Sequence, residues 1–155
     1  PLIIKLINGT HGIGVILAET KKTAQSILEA FYKGSQKVML QEFIEEADGA
    51  DIRVLIVDDE IVGVMERKAA PGEFRSNLHR GGTSKIITIS DHEAMIAKKA
   101  ASAMGLKIAG VDMLRSSRGP LILEVNASPG LEGIETTTGV DIARRIIELV
   151  ERNVR

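Results

Sequence analysis

Asp112 in AGVDMLR and the pair Glu124 and Asn126 in LILEVNASPG put three oxygen donors into two neighbouring strand-like runs. Side chains alternate faces along a strand, so Leu121, Leu123 and Val125 are expected on one face and Ile122, Glu124 and Asn126 on the other. Between the runs, Ser117-Arg118-Gly119 reads as a three-residue hairpin loop with Gly119 in the left-handed position. That loop sets Ser116 opposite Pro120 and therefore Asp112 opposite Glu124. Like charges directly opposed across a ladder repel, so a cation is expected beside them. Oxygen ligands with few protein donors suit magnesium, which keeps waters and shares its shell with phosphate oxygens, whereas calcium takes more ligands and zinc takes nitrogen or sulfur. The alternative is a pair of surface acids neutralised by Arg115, Arg118 or solvent.

Two other segments carry groups that suit a polyanion. IIKLINGTHGIGVIL has two strand runs around Gly9, Gly12 and Gly14, and glycines let backbone amides fold around a phosphate because no Cβ blocks the approach. The spacing is neither that of a Walker loop nor that of a dinucleotide fingerprint, and a plain hairpin turn is the competing reading. Lys5, an ammonium in an otherwise apolar strand, calls for an anion at the mouth of that loop. KAAPGEFRSNLHRGG, residues 68–82, has no helical or strand period, and a loop of this length inside a compact domain is either functional or solvated. Its polar content (Arg75, Asn77, His79 and Arg80) favours the first.

Eight strand-like runs position these groups: Leu2 to Ile7, Ile13 to Leu17, Lys37 to Phe43, Ile52 to Val57, Ile61 to Arg67, Ser84 to Ile89, Lys107 to Arg115 and Leu121 to Asn126. Asp58-Asp59 forms a tight turn between the fourth and fifth. Helical patterns cover Thr20 to Tyr32, Asp91 to Met104 and Val140 to Asn153, the second opened by a Ser90–Glu93 capping box. Hairpins between separated helices indicate an α+β fold. At 155 residues the chain suffices for one domain or two small lobes sharing a cleft. With 26% charged residues, 44% hydrophobic ones and a net charge of -1, nothing in the composition names a nucleic-acid partner. The absence of cysteine excludes disulfides, thiolate nucleophiles and cysteine-ligated metals. No apolar run is long enough to span a bilayer and the start lacks a signal-peptide pattern, so a cytoplasmic location is expected. A start without methionine, directly in a strand pattern, reads as part of a longer protein, or else as a chain trimmed by a residue or two.

Together KLINGTHGIGV, QEFIEEADGADIRVLIV, GEFRSNLHRGG, AGVDMLR and EVNASPGLEGIE resemble an ATP-grasp ligase, and specifically the RimK-like ribosomal-protein glutamate ligases. The likeness runs through essentially the whole chain. It implies an ATP-grasp fold of two α+β lobes with ATP between them, residues 1–43 being the remainder of the small lobe and 44–155 the large lobe with a metal site. By this resemblance Lys5 contacts phosphate, the loop of Gly9, Gly12 and Gly14 closes over it, and Glu42 and Phe43 hold adenine and ribose. Asp51 is a further nucleotide contact, and Arg75, Ser76 and Asn77 lie near the phosphates. Asp112, Glu124 and Asn126 match ligands of two magnesium ions, with manganese as a substitute and Glu124 as the bridging group.

The same resemblance implies a ligase that phosphorylates a carboxylate with ATP and lets an amine attack the acyl phosphate, with Arg80 and Arg75 meeting the developing charge. His79 as a general base is the weaker assignment, since a lone loop histidine is more often a polar contact. The partners implied are glutamate and the C-terminal tail of a ribosomal protein, or growing glutamate chains, in a homo-oligomeric parent. A relative acting on a small peptide or an amino-group carrier protein fits the same residues, as does a nucleotide-binding fragment without turnover. Relatives carry an N-terminal domain and a helical stretch with another phosphate-contacting lysine ahead of the position of Pro1, so the N-terminal part of the first lobe is expected to be missing.

Overall fold

The computed structural model describes residues 1–8 and 13–154. They divide into two compact units, Pro1–Glu45 and Glu46–Arg155. The first holds β1 (Leu2–Leu6), β2 (Val15–Ala18), α1 (Lys21–Lys33) and β3 (Val38–Glu42), the strands forming an antiparallel sheet in the order β2-β1-β3. Thr20 caps α1 by accepting from the Thr23 amide, and Ile4, Ala18 and Ala24 are buried between sheet and helix.

The second unit contains β4 (Ala50–Val57), β5 (Glu60–Lys68), β6 (Thr83–Ile86), α2 (Asp91–Ala103), β7 (Ile108–Ser116), β8 (Gly119–Asn126), α3 (Glu132–Thr138) and α4 (Ile142–Asn153). Its five strands run antiparallel in the order β6-β5-β4-β7-β8. Asp58 and Asp59 turn β4 into β5 with φ of 53° and 65°, the positive pair that a two-residue hairpin matched to the strand twist requires. The expected capping box opens α2: Ser90 accepts from the Glu93 amide and Glu93 from the Ser90 amide.

Alternation along β4 divides this unit into two cores. Ile52, Val54 and Ile56 face α2, where Ala97 and Ala101 are small enough to let the helix approach Ala109, Val111 and Met113. Leu55 and Val57 point the other way, with Met65, against Ile134 of α3 and Ile142 and Leu149 of α4. Burying each of these large aliphatic side chains contributes about 1.5–3 kcal/mol. On that second face, the residues preceding Leu55 at the same period are Arg53 and Asp51, so the apolar core gives way along one strand to a charged row.

Helix α3 lies in a stretch without a legible helical period. Gly139, at φ 71°, ends it in the left-handed region, and Glu135 accepts from the Ile142 and Ala143 amides to hold the start of α4. No helix among the described residues is long and apolar enough to cross a membrane.

Candidate functional site

The charged row is built by strand register. Asp51 stands opposite Arg67 across β4 and β5, Arg53 opposite Asp112 across β4 and β7, and Asp112 opposite Glu124 across β7 and β8. Arg53 donates from Nε to Asp112 Oδ1 at 2.8 Å and from Nη2 to Oδ2 at 2.7 Å. Arg67 donates from Nε to Asp51 Oδ1 at 2.7 Å, and its Nη2 reaches both Asp51 Oδ2, at 2.6 Å, and Asp112 Oδ2, at 2.8 Å. Ser76, from the loop after β5, donates its hydroxyl to Asp51 Oδ2 at 2.7 Å. One guanidinium therefore ties two carboxylates together, and a loop residue is fastened to the same cluster.

Burial gives these bonds their weight. Asp51 and Asp112 are 3% and 2% exposed, the Arg67 and Arg53 side chains 11% and 15%. A buried carboxylate is costly unless paired and hydrogen-bonded, and here both conditions are met twice over. Burial pushes the Asp51 carboxyl above its ordinary value, against the opposing pull of Arg67 and Ser76. Burial also works against the Arg67 charge, yet the bonds to Asp51 and Asp112 carry its pKa upward, so the guanidinium stays charged.

Glu124 is exposed at the outer strand, and its Oε1 accepts from the Asn126 amide at 2.8 Å. Asp112 and Glu124 are opposed as the sequence leads one to expect, but by a different route. The turn is a two-residue one, with Ser116 opposite Gly119 and Arg115 opposite Pro120, and a bulge between Asp112 and Met113 then shifts the register by one residue. The extra residue, Leu123, breaks the alternation expected between Ile122 and Glu124, since Ile122 pairs with Met113. Gly119 does adopt a positive φ, 94°. The cations expected beside Asp112 are Arg53 and Arg67; Arg115 instead pairs with Glu93 at 2.7 Å.

The Ser-Pro-Gly that ends the motif has a packing reason. Gly110, opposite Asn126, lies so close to Pro129 that a Cβ there would sit 2.7 Å from the proline Cβ. The chain thus folds back over the sheet directly after Asn126, with Pro129 against Gly110.

The remaining candidates are distributed as follows. Arg75 forks onto Glu73, Nε to Oε1 at 2.9 Å and Nη2 to Oε2 at 2.6 Å, and its guanidinium lies 5.1 Å from the Phe74 ring centroid. The Arg75 hydrogen bond holds the Glu73 carboxyl well below its usual range, at about 2. Asn77 accepts from the His79 amide and caps the short 3-10 turn Leu78–Arg80, leaving His79 and Arg80 exposed. In the first unit Lys5 is half-buried in β1 between Val15 and Met39, exposed Glu42 ends β3, and half-buried Phe43 follows it. A Cβ on Gly14 would fall 2.6 Å from Leu6 Cδ1, and its φ of 77° likewise requires glycine. Gly9 and Gly12 lie outside the described residues. Asp51, Ser76, Asp112, Glu124 and Asn126 are thus joined by register and hydrogen bonds in one unit.

Residues 1–150 match the RimK-like ATP-grasp domain. The chain belongs to that family. It is 60% identical over 153 residues to a protein of Azotobacter vinelandii named "Probable alpha-L-glutamate ligase", covering 99% of this chain and 51% of that protein. Among solved structures it resembles the ATP-grasp ligase PsnB in complex with the precursor peptide PsnA2 and AMPPNP, at TM-score 0.73 and 25% identity, covering 99% of this chain and 47% of that one. The D-alanine–D-alanine ligase of Bacillus anthracis shares the fold at TM-score 0.73 and 19% identity, over 98% of this chain and 53% of that enzyme. The RimK-like chain spans about half the length of the curated relatives it matches. Its fold is α+β and ATP-grasp, as the sequence motifs imply.

Among the described residues no group of three or more acidic or histidine side chains could hold a metal. Asp112, Glu124 and Asn126 supply only two carboxylates and an amide oxygen, which fits a hard ion that completes its shell with waters and phosphate oxygens. Sequence reasoning missed Arg53 and Arg67. The available signal was an arginine at an inward-facing position in ADIRVLIV, where a charge needs a partner.

Proposed function

We propose that the protein is an ATP-dependent carboxylate–amine ligase that adds glutamate to an acceptor carboxylate, the acceptor being the C-terminal tail of a small-subunit ribosomal protein or a growing glutamate chain. The observation that carries this reading is the single row Asp51, Asp112, Glu124 and Asn126, locked by Arg53 and Arg67, in a chain of the RimK-like ATP-grasp family. The name of the Azotobacter vinelandii relative supports glutamate as the substrate.

In this reaction the acceptor carboxylate oxygen attacks the γ-phosphorus of ATP, ADP leaves, and an acyl phosphate forms. The glutamate amine then attacks the acyl carbon, inorganic phosphate leaves, and the amine gives up a proton as the amide forms. Asp112, Glu124 and Asn126 would hold magnesium, which supplies charge neutralisation to the phosphates and to the transferring phosphoryl group. The chain's own residues position the reactants. Lys5 and the loop of Gly9, Gly12 and Gly14 take the phosphates, Glu42 and Phe43 the adenine and ribose, and Asp51, fixed by Arg67 and Ser76, adds a nucleotide contact. Exposed Arg80 meets the charge that develops at the acyl phosphate, and Arg75 shares that role by exchanging its Glu73 partner.

A second reading, a short peptide as acceptor, is favoured by the likeness to PsnB, whose structure holds a precursor peptide. The test is to incubate a full-length ligase containing this chain with ATP, glutamate and each acceptor, following ADP release and acceptor mass. Glutamate additions on the ribosomal-protein tail support the first reading. Additions only on unrelated peptides move the protein to the second, and ADP release without glutamate dependence contradicts both.

A further inference from the structure

Asp112 is contacted by two arginines at once, one of them shared with Asp51. Its Oδ2 accepts from Arg53 and Arg67 at 2.7 and 2.8 Å, and its Oδ1 accepts from Arg53 at 2.8 Å. A carboxylate offers about four lone-pair positions, so three are taken and one, on Oδ1, is left. Asp51 and Asp112 are balanced by Arg53 and Arg67, which leaves Glu124 as the only uncompensated charge among the proposed ligands and their direct partners, and Asn126 is neutral. Metal affinity of oxygen sites rises with the number of anionic ligands, so a row neutralised in this way holds a divalent cation weakly by itself.

We propose that Arg53 and Arg67 are built-in counter-ions of the metal site, keeping Asp112 neutralised so that a divalent cation is bound appreciably only together with the nucleotide, whose phosphates supply the missing negative charge. The inference rests on the reading of Asp112, Glu124 and Asn126 as metal ligands. Both guanidiniums act through Asp112 and Asp51 and are positioning residues. They also explain why a sheet face that buries Leu55 and Val57 turns to arginine at Arg53: an apolar residue there would leave Asp112 with Arg67 alone and the row more negative. Metal-free protein is thereby kept from collecting metal without nucleotide, and metal and nucleotide arrive as one unit.

The experiment measures Mn²⁺ binding to the whole chain by electron paramagnetic resonance, with and without ADP, for the wild type, Arg53→Gln, Arg53→Lys, Glu124→Gln and Asp112→Asn, each checked for folding by circular dichroism. Wild type is expected to gain on the order of tenfold in Mn²⁺ affinity when ADP is added. Arg53→Gln, which removes one counter-ion, is expected to tighten Mn²⁺ alone by on the order of tenfold, whereas Arg53→Lys, which keeps the charge, stays within about twofold of wild type. Should Arg53→Gln not fold, Arg67→Gln replaces it with the same expectation, since Arg53 still holds Asp112 at two points. Unchanged or weaker Mn²⁺ binding in the folded glutamine variant overturns the counter-ion role, and leaves the metal site standing if Glu124→Gln loses Mn²⁺ in the presence of ADP. Wild-type Mn²⁺ binding with ADP in both Glu124→Gln and Asp112→Asn removes the metal site itself, and the counter-ion role with it.

Discussion

Arg53 grips Asp112 at both carboxylate oxygens, at 2.8 and 2.7 Å, from the strand position directly opposite. Removing one partner of a buried pair leaves an uncompensated charge, which costs more than the pair itself contributes. Arg53→Ala is therefore expected to destabilise the fold by about 3 kcal/mol, the low end of that class because Arg67 still reaches Asp112. Urea unfolding of the two proteins checks this. A loss under about 1 kcal/mol would show that Asp112 is solvated in solution rather than held.

The link between α2 and β7 has a pH signature. Glu93 is buried, accepts from Arg115 at 2.7 Å and from the Ser90 amide at 2.8 Å, and has its pKa lowered from 4.5 to about 2, chiefly by the Arg115 bond. A carboxyl whose folded pKa is depressed contributes stability that is present in full above its unfolded value and lost as pH falls through the folded one. Between pH 4.5 and about 2, wild type should lose stability more steeply than Glu93→Gln. Urea midpoints at pH 7, 4 and 3 make the comparison; parallel pH profiles would contradict the pairing.

Much of the site could be read in the sequence, though partly through compensating errors. The sequence predicts a three-residue turn where the structure has a two-residue one, but the bulge at Leu123 returns Asp112 to Glu124. A bulge has no composition signal of its own here, because Leu123 is as apolar as its neighbours. Arg53 and Arg67 did not stand out as site residues, because their partners depend on the pairing order β5-β4-β7, which local pattern does not give. Helix α3 was not legible: it has seven residues, three of them threonines, and no side-chain N-cap, and what holds it is Ile134 buried under Gly63. The capping box of α2 and the Asp58-Asp59 turn were legible because both rest on short-range hydrogen bonding and φ preferences.

Gly110→Ala tests whether packing behind Asn126 positions that residue. The new Cβ would fall 2.7 Å from the Pro129 Cβ, so the segment after β8 must shift. Overpacking of this kind costs about 1–3 kcal/mol. Thermal melting should report that loss, and Mn²⁺ affinity in the presence of ADP should fall with it. A melting temperature equal to wild type would mean the Pro129 contact is not made.

Under the proposed ligase reaction, Arg80→Ala is expected to lower kcat with little change in KM for ATP. A group used mainly where charge develops contributes to the transition state rather than to ground-state binding. Steady-state kinetics with ATP varied at saturating glutamate decides it. A raised KM with kcat intact would make Arg80 a nucleotide contact only.

Asp112, Glu124 and Asn126 are expected to hold the divalent cation that accompanies the nucleotide. Mn²⁺ broadens the NMR signals of nuclei within a short radius, so titrating Mn²⁺ and ADP into ¹⁵N-labelled chain locates the ion without any assay of turnover. The Asn126 side-chain amide and the backbone amides of Asp112 and Glu124 should broaden first, those of Glu148 and Glu151 on α4 should stay sharp, and Glu124→Gln should remove the effect while its own stability stays within about 0.5 kcal/mol of wild type. Sharp Asn126 and Glu124 signals at Mn²⁺ and ADP levels that broaden other residues would contradict it.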